Sequence, residues 1–303
     1  MFDLCPGIMN CKSGMERKII YLINPISGTR GKSSLRELIH RKTKDQHIDF
    51  DILPTDAEGN YDHLRELIIK EKVTDIVICG GDGTVNAVMA ALQGNPVRIG
   101  IIPMGSGNGL AFAAKIPKDP SRALEIIFAG KASLIDGLMI NDQFSCMLCG
   151  IGFDAEVAHT FAQQPTRGLQ TYIKVTFHHF FKSRYWVFQV DLPGESLKTE
   201  AFFISIANAN QFGNNFTIAP KARLDDGLLD IVVVKKMNKV RTLLAVIRQV
   251  MGGRPKNILY FQTPSLRIVN KSMAPLHIDG DPKQTAPAFD IHILPKIIQL
   301  IQP

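Results

Sequence analysis

The sequence predicts an α/β protein in which a doubly wound, mostly parallel sheet is followed by a C-terminal β-sandwich. Three observations carry this expectation. From Arg17 to about Asp136, short apolar runs alternate with segments of helical periodicity, the rhythm of a parallel sheet covered on both faces. Glycine-rich turns at Gly80–Thr84 and Pro103–Gly109 each follow such a run. Beyond about Ile140 most segments are short and strand-like, as in an antiparallel sandwich.

Ile19–Ile23 is wholly apolar, as a strand buried on both faces would be, and Asn24, Pro25 and Gly28 break it. Leu35, Leu38 and Ile39 then share a helix face, and Phe50–Leu53 is the next strand. Leu64, Leu67 and Ile68 mark a helix over Tyr61–Lys70, and Ile76–Cys79 a further buried strand. Val85, Val88, Met89 and Leu92 form a helix stripe after GGDGT. Ile99–Ile102 is a strand ended by Pro103; Leu110–Ala114 continues from the second glycine cluster, and Ser121 is placed to cap a helix carrying Leu124, Ile127 and Phe128. Strands are expected at Phe144–Leu148, Trp186–Val190, Phe202–Ala207, Leu229–Val234, Ser265–Val269, Leu276–Ile278 and Phe289–Leu294, with helices around Tyr172–Phe181 and Val240–Met251.

A length of 303 residues fits two domains at about 150 residues each. The expected division is a loose leader at 1–16, an α/β domain at 17–138, a sandwich domain at 139–295, and a tail at 296–303 that returns to the first domain. Hydrophobic residues at 45% and charged residues at 21% exclude a disordered or fibrous chain. The net charge of +7 favours anionic partners such as nucleotides or an acidic membrane surface. Basic residues are scattered, and no helix-turn-helix or zinc pattern accompanies them, so nucleic acid is not expected. The odd count of five cysteines points to a reducing, cytoplasmic setting. No apolar run is long enough for a transmembrane helix.

GGDGT stands between a buried strand and an amphipathic helix, at the carboxyl edge where ligands bind in such sheets. Glycines there let the backbone approach a phosphate, and the helix start offers N–H groups. Asp82 would repel that phosphate unless a cation or proton-transfer partner stood nearby. The competing reading is a tight turn with Asp82 as a helix cap. PMGSGNG repeats the arrangement one unit later, with Ser106 and Asn108 as hydrogen-bonding candidates. NPISGTRGKS is two residues short of a Walker A loop, and Gly81-x-Gly83 lacks the third glycine of a dinucleotide fingerprint, since Asn86 stands there. Cys146-x-x-Cys149 has no second pair, and on an alternating strand its side chains would face opposite ways. His178–His179 reads as a surface or core pair. Thr171–Trp186 is either a packed helix with an exposed basic side, the preferred reading, or an element that faces lipid.

NPISG at 24–28, GGDGTVN at 80–86, PMGSGNGLA at 103–111, GIGFDAEV at 150–157, IAPKARLDDGLLDIV at 218–232 and IDGD at 278–281 occur in the order seen in the diacylglycerol/sphingosine lipid kinase family. The chain resembles that family over nearly its whole length from Arg17. GGDGT is shared with NAD kinases, whereas LDDGLLD and the late DGD point to the lipid kinase branch. The resemblance implies a nucleotide-binding α/β domain followed by a β-sandwich, with ATP and Mg²⁺ as cofactors. It implies that Asn24, Pro25, Ile26, Ser27 and Gly28, together with Gly80, Gly81, Asp82, Gly83, Thr84, Val85 and Asn86, bind ATP. Thr55 resembles the family threonine after the second strand, and Ser106 stands where bacterial members usually carry threonine. Asp82 is similar to the aspartate that positions magnesium and phosphate. Asp226, with the main-chain oxygens of Arg223 and Leu228, resembles a structural magnesium site, in keeping with the oxygen preference of a hard ion. The family base is the glutamate of DGE; Asp281, one methylene shorter, stands there.

The expected function is ATP- and Mg²⁺-dependent phosphorylation of a lipid hydroxyl by a peripheral membrane enzyme, with a homodimer left open. The alternatives are an NAD kinase-like enzyme with a soluble acceptor and a nucleotide-binding regulator without catalysis.

Overall fold

The computed structural model describes residues 17–23, 32–56, 58–166, 168–211, 217–253 and 255–303. In the first lobe β1 (Lys18–Ile23), α1 (Lys32–Asp45), β2 (Asp49–Pro54), α2 (Asp62–Glu71), β3 (Asp75–Gly80), α3 (Asp82–Ala91) and β4 (Arg98–Pro103) alternate. The strands run parallel in the order β2-β1-β3-β4. β1, β3 and β4 are buried almost throughout, whereas β2 at the edge is largely exposed or half-buried. That difference matches the uninterrupted apolar runs of the inner strands. The order reverses between β1 and β3, so their carboxyl ends open the crevice that such sheets use for ligands. The opposite edge is closed: buried Asp75 receives Arg17 Nε at 3.0 Å and Arg98 Nη2 at 2.8 Å.

α4 (Gly109–Ala113) and α5 (Pro120–Ala129) follow. The cap expected at Ser121 is Asp119 instead, which accepts from the Arg122 N–H at 2.9 Å. Pro120 is the reason, because proline suits the first helical position and moves the cap upstream of itself.

The second lobe contains β5 (Ala132–Ile140), β6 (Gln143–Ser145), β7 (Leu148–Gly152), α6 (Phe153–Ala162), α7 (Leu169–Lys182), β8 (Trp186–Leu192), β9 (Glu195–Ala207), β10 (Leu229–Lys235), α8 (Lys239–Val250), β11 (Ile258–Thr263), β12 (Ser265–Asn270), β13 (Leu276–Ile278), β14 (Asp281–Lys283) and β15 (Ala288–Ile301). Its pairings are antiparallel: β14-β13-β7-β9-β8-β12-β15, with β10 and then β11 added to β9. Trp186, Phe188, Phe202 and Phe289 fill its interior. The single strand expected at Phe144–Leu148 is broken between Ser145 and Leu148. There the N–H groups of Cys146, Met147 and Leu148 turn to a carboxylate rather than to a neighbouring strand. Cys146 and Cys149 consequently do not share one strand, and both are buried free thiols.

β5, α6, β11 and β14 have no counterpart among the elements expected from the sequence. Phe153, Ala155, Val157 and Ala158 of α6 are buried together with the polar Asp154, so polar and apolar residues do not separate cleanly onto two faces. α7 presents apolar as well as basic residues on its outer side. Ile173, Phe177 and Phe181 are exposed on it next to Lys174 and Lys182.

β15 joins the lobes. It pairs antiparallel with β12 and along most of β5, and its end lies parallel to β4, Gln299 opposite Arg98 and Leu300 opposite Ile99. A register shift between Leu294 and Ile298 accompanies the change of neighbour. Buried Asp136 of β5 pins this junction, accepting from the Lys296 N–H and the Gly227 N–H, each at 2.7 Å.

Candidate active site

The crevice is built from turns at the carboxyl ends of the first-lobe strands. Asn24, Pro25, Ile26, Ser27 and Gly28 lie outside the described residues. Thr55 follows β2, is buried, and donates its N–H to Ile23 O at 3.1 Å. Gly81 caps α3 without a side-chain hydrogen bond, so the helix opens on backbone groups. The two glycine turns touch: a Cβ on Gly105 would lie 2.6 Å from the Gly81 Cα, closer than any side chain tolerates. Met104 N–H to Gly80 O, at 2.9 Å, closes the same contact. Ser106 is exposed at the tip. Asn108 does not offer its amide to a ligand as expected. It sits in the left-handed region at φ 57°, with Oδ1 accepting from Gly105 N–H and Nδ2 donating to Gly105 O, both at 2.8 Å. The amide holds the turn closed.

Asp82, the first residue of α3, is half-buried, and its Oδ2 accepts from the Asn108 N–H at 2.7 Å. The N–H groups of Gly109 and Leu110 also bond it. Burial pushes its pKa up to about 6, the negative charge of Asp279 adds to this, and the three N–H donors oppose it. Asp82 thus fastens the second glycine turn to the first. Val85 is buried in the core, so only its backbone could meet a nucleotide. Asn86 reaches the other lobe: Nδ2 donates to Phe144 O at 3.2 Å, and Oδ1 accepts from Cys146 N–H at 3.0 Å.

The second-lobe wall is the turn between β13 and β14. Asp279 and Gly280 have φ of 49° and 85°, the left-handed pair that a tight hairpin turn needs and that Asp-Gly supplies. Asp279 is buried. Its carboxylate accepts from Ser145 Oγ at 2.7 Å and from the N–H groups of Cys146, Met147 and Leu148 at 3.1, 3.2 and 2.9 Å. Burial raises its pKa and these donors hold it down. Asp281 is exposed, and a Cβ on Gly83 would lie 3.2 Å from its Oδ2. The turn therefore sets Asp281 against Gly83 in the first turn of α3, although the two residues lie in separate lobes.

At the loop that resembles a structural magnesium site, Asp226 Oδ1 accepts from its own loop's Leu228 N–H at 3.1 Å, and Arg223 Nε pairs with Asp225 at 3.2 Å. Among the described residues no three His, Cys, Asp or Glu side chains cluster as a metal site would. Asp226 is the one carboxylate in this set, so a cation here would depend on the carbonyl oxygens of Arg223 and Leu228 and on water, which hard ions accept.

Sequence reasoning missed Asp279 as the buried anchor of the turn, and with it Ser145, Asp136, Asp154 and His277. DGD pointed to the neighbourhood. The partners of Asp279 lie more than 130 residues away, and no local pattern encodes that contact.

A parallel nucleotide-type sheet is joined through one strand to an antiparallel sandwich, and Asp281 of the second lobe approaches Gly83 of the first, the layout of a two-lobed kinase. The chain matches the diacylglycerol kinase catalytic domain over residues 18–140 and the YegS C-terminal NAD kinase beta sandwich-like domain over 148–302. It belongs to the diacylglycerol kinase and YegS lipid kinase family. It is 27% identical over 295 residues to a "Probable lipid kinase YegS-like" of Pectobacterium atrosepticum, covering 94% of this chain and 96% of the relative. It is 24% identical over 279 residues to the diacylglycerol kinase of Staphylococcus carnosus, covering 88% and 89%. A crystal structure of a diacylglycerol kinase from Bacillus anthracis superposes with a TM-score of 0.74 at 19% identity, covering 96% of this chain and 98% of that one, a likeness of fold.

Proposed function

We propose that the protein is an ATP- and Mg²⁺-dependent kinase that transfers the γ-phosphate of ATP to the hydroxyl of a diacylglycerol- or sphingoid-type lipid. The observation that carries this reading is the approach of Asp281 to Gly83. It brings an exposed carboxylate from the second lobe to the helix start where a triphosphate would lie. Asp281 takes the proton from the acceptor hydroxyl as that oxygen attacks the γ-phosphorus, and ADP leaves. The backbone of Gly80–Thr84, with Thr55 and Ser106, orients the phosphates. Asp82 keeps the two glycine turns together and would help to hold Mg²⁺ at the crevice. Bound Mg²⁺ would neutralise charge developing on the transferred group. Residues 17–138 serve the nucleotide and 139–295 the lipid, with the boundary in β5.

The acceptor is a membrane component, and two helices support peripheral attachment. α7 and α8 contain no acidic residue. Phe177 and Phe181 are 68% and 59% exposed on α7, Val240 and Leu244 are 68% and 61% exposed on α8, and Met251, just after α8, is 82% exposed. Lys174, Lys182, Arg241 and Arg248 stand beside them, the combination that suits an anionic bilayer surface. Lys239 Nζ, bonded to Ser183 O at 2.6 Å, fixes the start of α8 to the end of α7. Among the described residues no helix is long and apolar enough to cross a membrane. A cytoplasmic enzyme visiting the inner leaflet fits these features.

The test is incubation of the protein with labelled ATP, Mg²⁺ and a total lipid extract. Label should enter the organic phase as a phosphorylated lipid. Label transferred to NAD instead would favour a soluble acceptor. Thermal stabilisation by ATP without transfer to any lipid would reduce the protein to a nucleotide-binding regulator.

A further inference from the structure

Beneath the Asp281 turn lies a buried pair that the phosphoryl-transfer chemistry does not touch. His277, in the middle of β13, is fully buried, and its Nδ1 accepts from the Gly280 N–H at 3.2 Å. Its Nε2 lies 3.4 Å from Oδ2 of Asp154, on the first turn of α6. Asp154 Oδ1 is held by the Ala155 N–H at 2.9 Å. Gly150 of β7 provides the space for this meeting, since a Cβ there would stand 2.0 Å from Asp154 Oδ2 and 2.4 Å from His277 Nε2. No side chain fits at that position without expelling one of the two.

The arrangement fixes the ring. A nitrogen that accepts from a backbone N–H carries no proton, so the neutral ring holds its proton on Nε2, the side that faces Asp154. The peptide N–H it receives belongs to Gly280, the residue directly before Asp281. We propose that His277, oriented by Asp154, is a positioning residue for the transfer reaction: it locks the Gly280 peptide and thereby aims the Asp281 carboxylate into the crevice. The proposal rests on the kinase reading above. A base displaced by even an ångström loses much of its effect, and a turn of two left-handed residues needs its N–H groups held.

The test compares three variants. His277→Ala removes the acceptor. His277→Asn places an amide oxygen where Nδ1 stood, and His277→Gln reaches towards Asp154 but offers Gly280 nothing. kcat for lipid phosphorylation should fall about tenfold to a hundredfold in the alanine and glutamine variants, with KM for ATP and for lipid within about twofold of the parent. The asparagine variant should recover most of the loss. Wild-type kcat in a folded alanine variant overturns the proposal. So does an asparagine variant no better than the glutamine one, because a merely structural role gives no reason for Asn to rescue and Gln to fail. If the alanine variant does not fold, the asparagine–glutamine contrast decides alone. If the wild-type protein transfers phosphate to no lipid, the kinase reading falls by itself. The ring is then read from ¹⁵N spectra of histidine-labelled protein: a proton-free Nδ1 on His277 upholds the lock, and a protonated Nδ1 removes it.

Discussion

The first-lobe turn GGDGT and the second-lobe turn DGD each bury an acid on backbone N–H groups, and they differ in what they leave exposed. Asp82 accepts from Asn108, Gly109 and Leu110. Asp279 accepts from Ser145, Cys146, Met147 and Leu148. In both places a carboxylate ties a turn to a segment distant in sequence, as charge-assisted bonds do well. Only the second-lobe turn adds a further acid two residues on, Asp281, which is exposed against Gly83. Of the three acids, two build the crevice and one is presented to it. The position of an acid within a motif thus says less about its task than the donors around it do.

Substitutions can break this division, and the largest effect belongs to the presented acid. Asp281→Asn should lower lipid phosphorylation by about a hundredfold to ten-thousandfold. Its melting temperature should stay near that of the parent, because an exposed side chain contributes little to stability. Near wild-type transfer would remove Asp281 from the reaction. Asp279→Ala should behave in the opposite way. It leaves a buried hydroxyl and three N–H groups without their acceptor, so denaturant unfolding should register a loss of about 3 kcal/mol or more. Gly105→Ala drives a methyl group into the Gly81 backbone and should cost about 1–3 kcal/mol, with weaker thermal stabilisation by ATP as the second readout.

The smallest effect sharpens the comparison through pH. The pKa of Asp82 is raised in the folded state to about 6, above its unfolded value of 3.8. The folded protein therefore holds that proton more tightly than the unfolded chain does. The resulting stability is complete below about pH 4 and is lost as pH rises through about 6. Asp82→Asn should flatten this part of the profile, so that the parent loses about 1–3 kcal/mol relative to the variant between those limits. Parallel stability curves would show that Asp82 ionises in the folded protein as it does in water.

The strands and helices of the first lobe were legible because their periodicity is local. Ile19–Ile23 and Ile76–Cys79 are apolar throughout, and both are inner strands. The glycine turns were legible as a pair because each follows such a strand, and Gly81 does meet Gly105. The sequence points Asn108 outward, towards a ligand, because it does not show that an amide can bond its own turn on both sides. The resemblance places Asn86 among the ATP-binding residues; in the structure its amide atoms bond Phe144 and Cys146 of the other lobe, contacts that local sequence does not encode. The break at Cys146–Met147 was invisible for a related reason. Its cause is a carboxylate 133 positions away from Cys146, and strand propensity carries no trace of it. Side chains that bridge lobes are chosen by tertiary contact, and local pattern is silent about them.

The strand β15 has a consequence for how the molecule is made. Synthesis delivers β1 to β4 first, but the edge of β4 is filled by Gln299 and Leu300, which follow their partners Arg98 and Ile99 only after the rest of the second lobe has been made. Until then the nascent sheet presents an open ladder on one of its most apolar strands, a surface prone to pairing with other chains. The early half can assemble, but its border stays unsealed until β15 has been made.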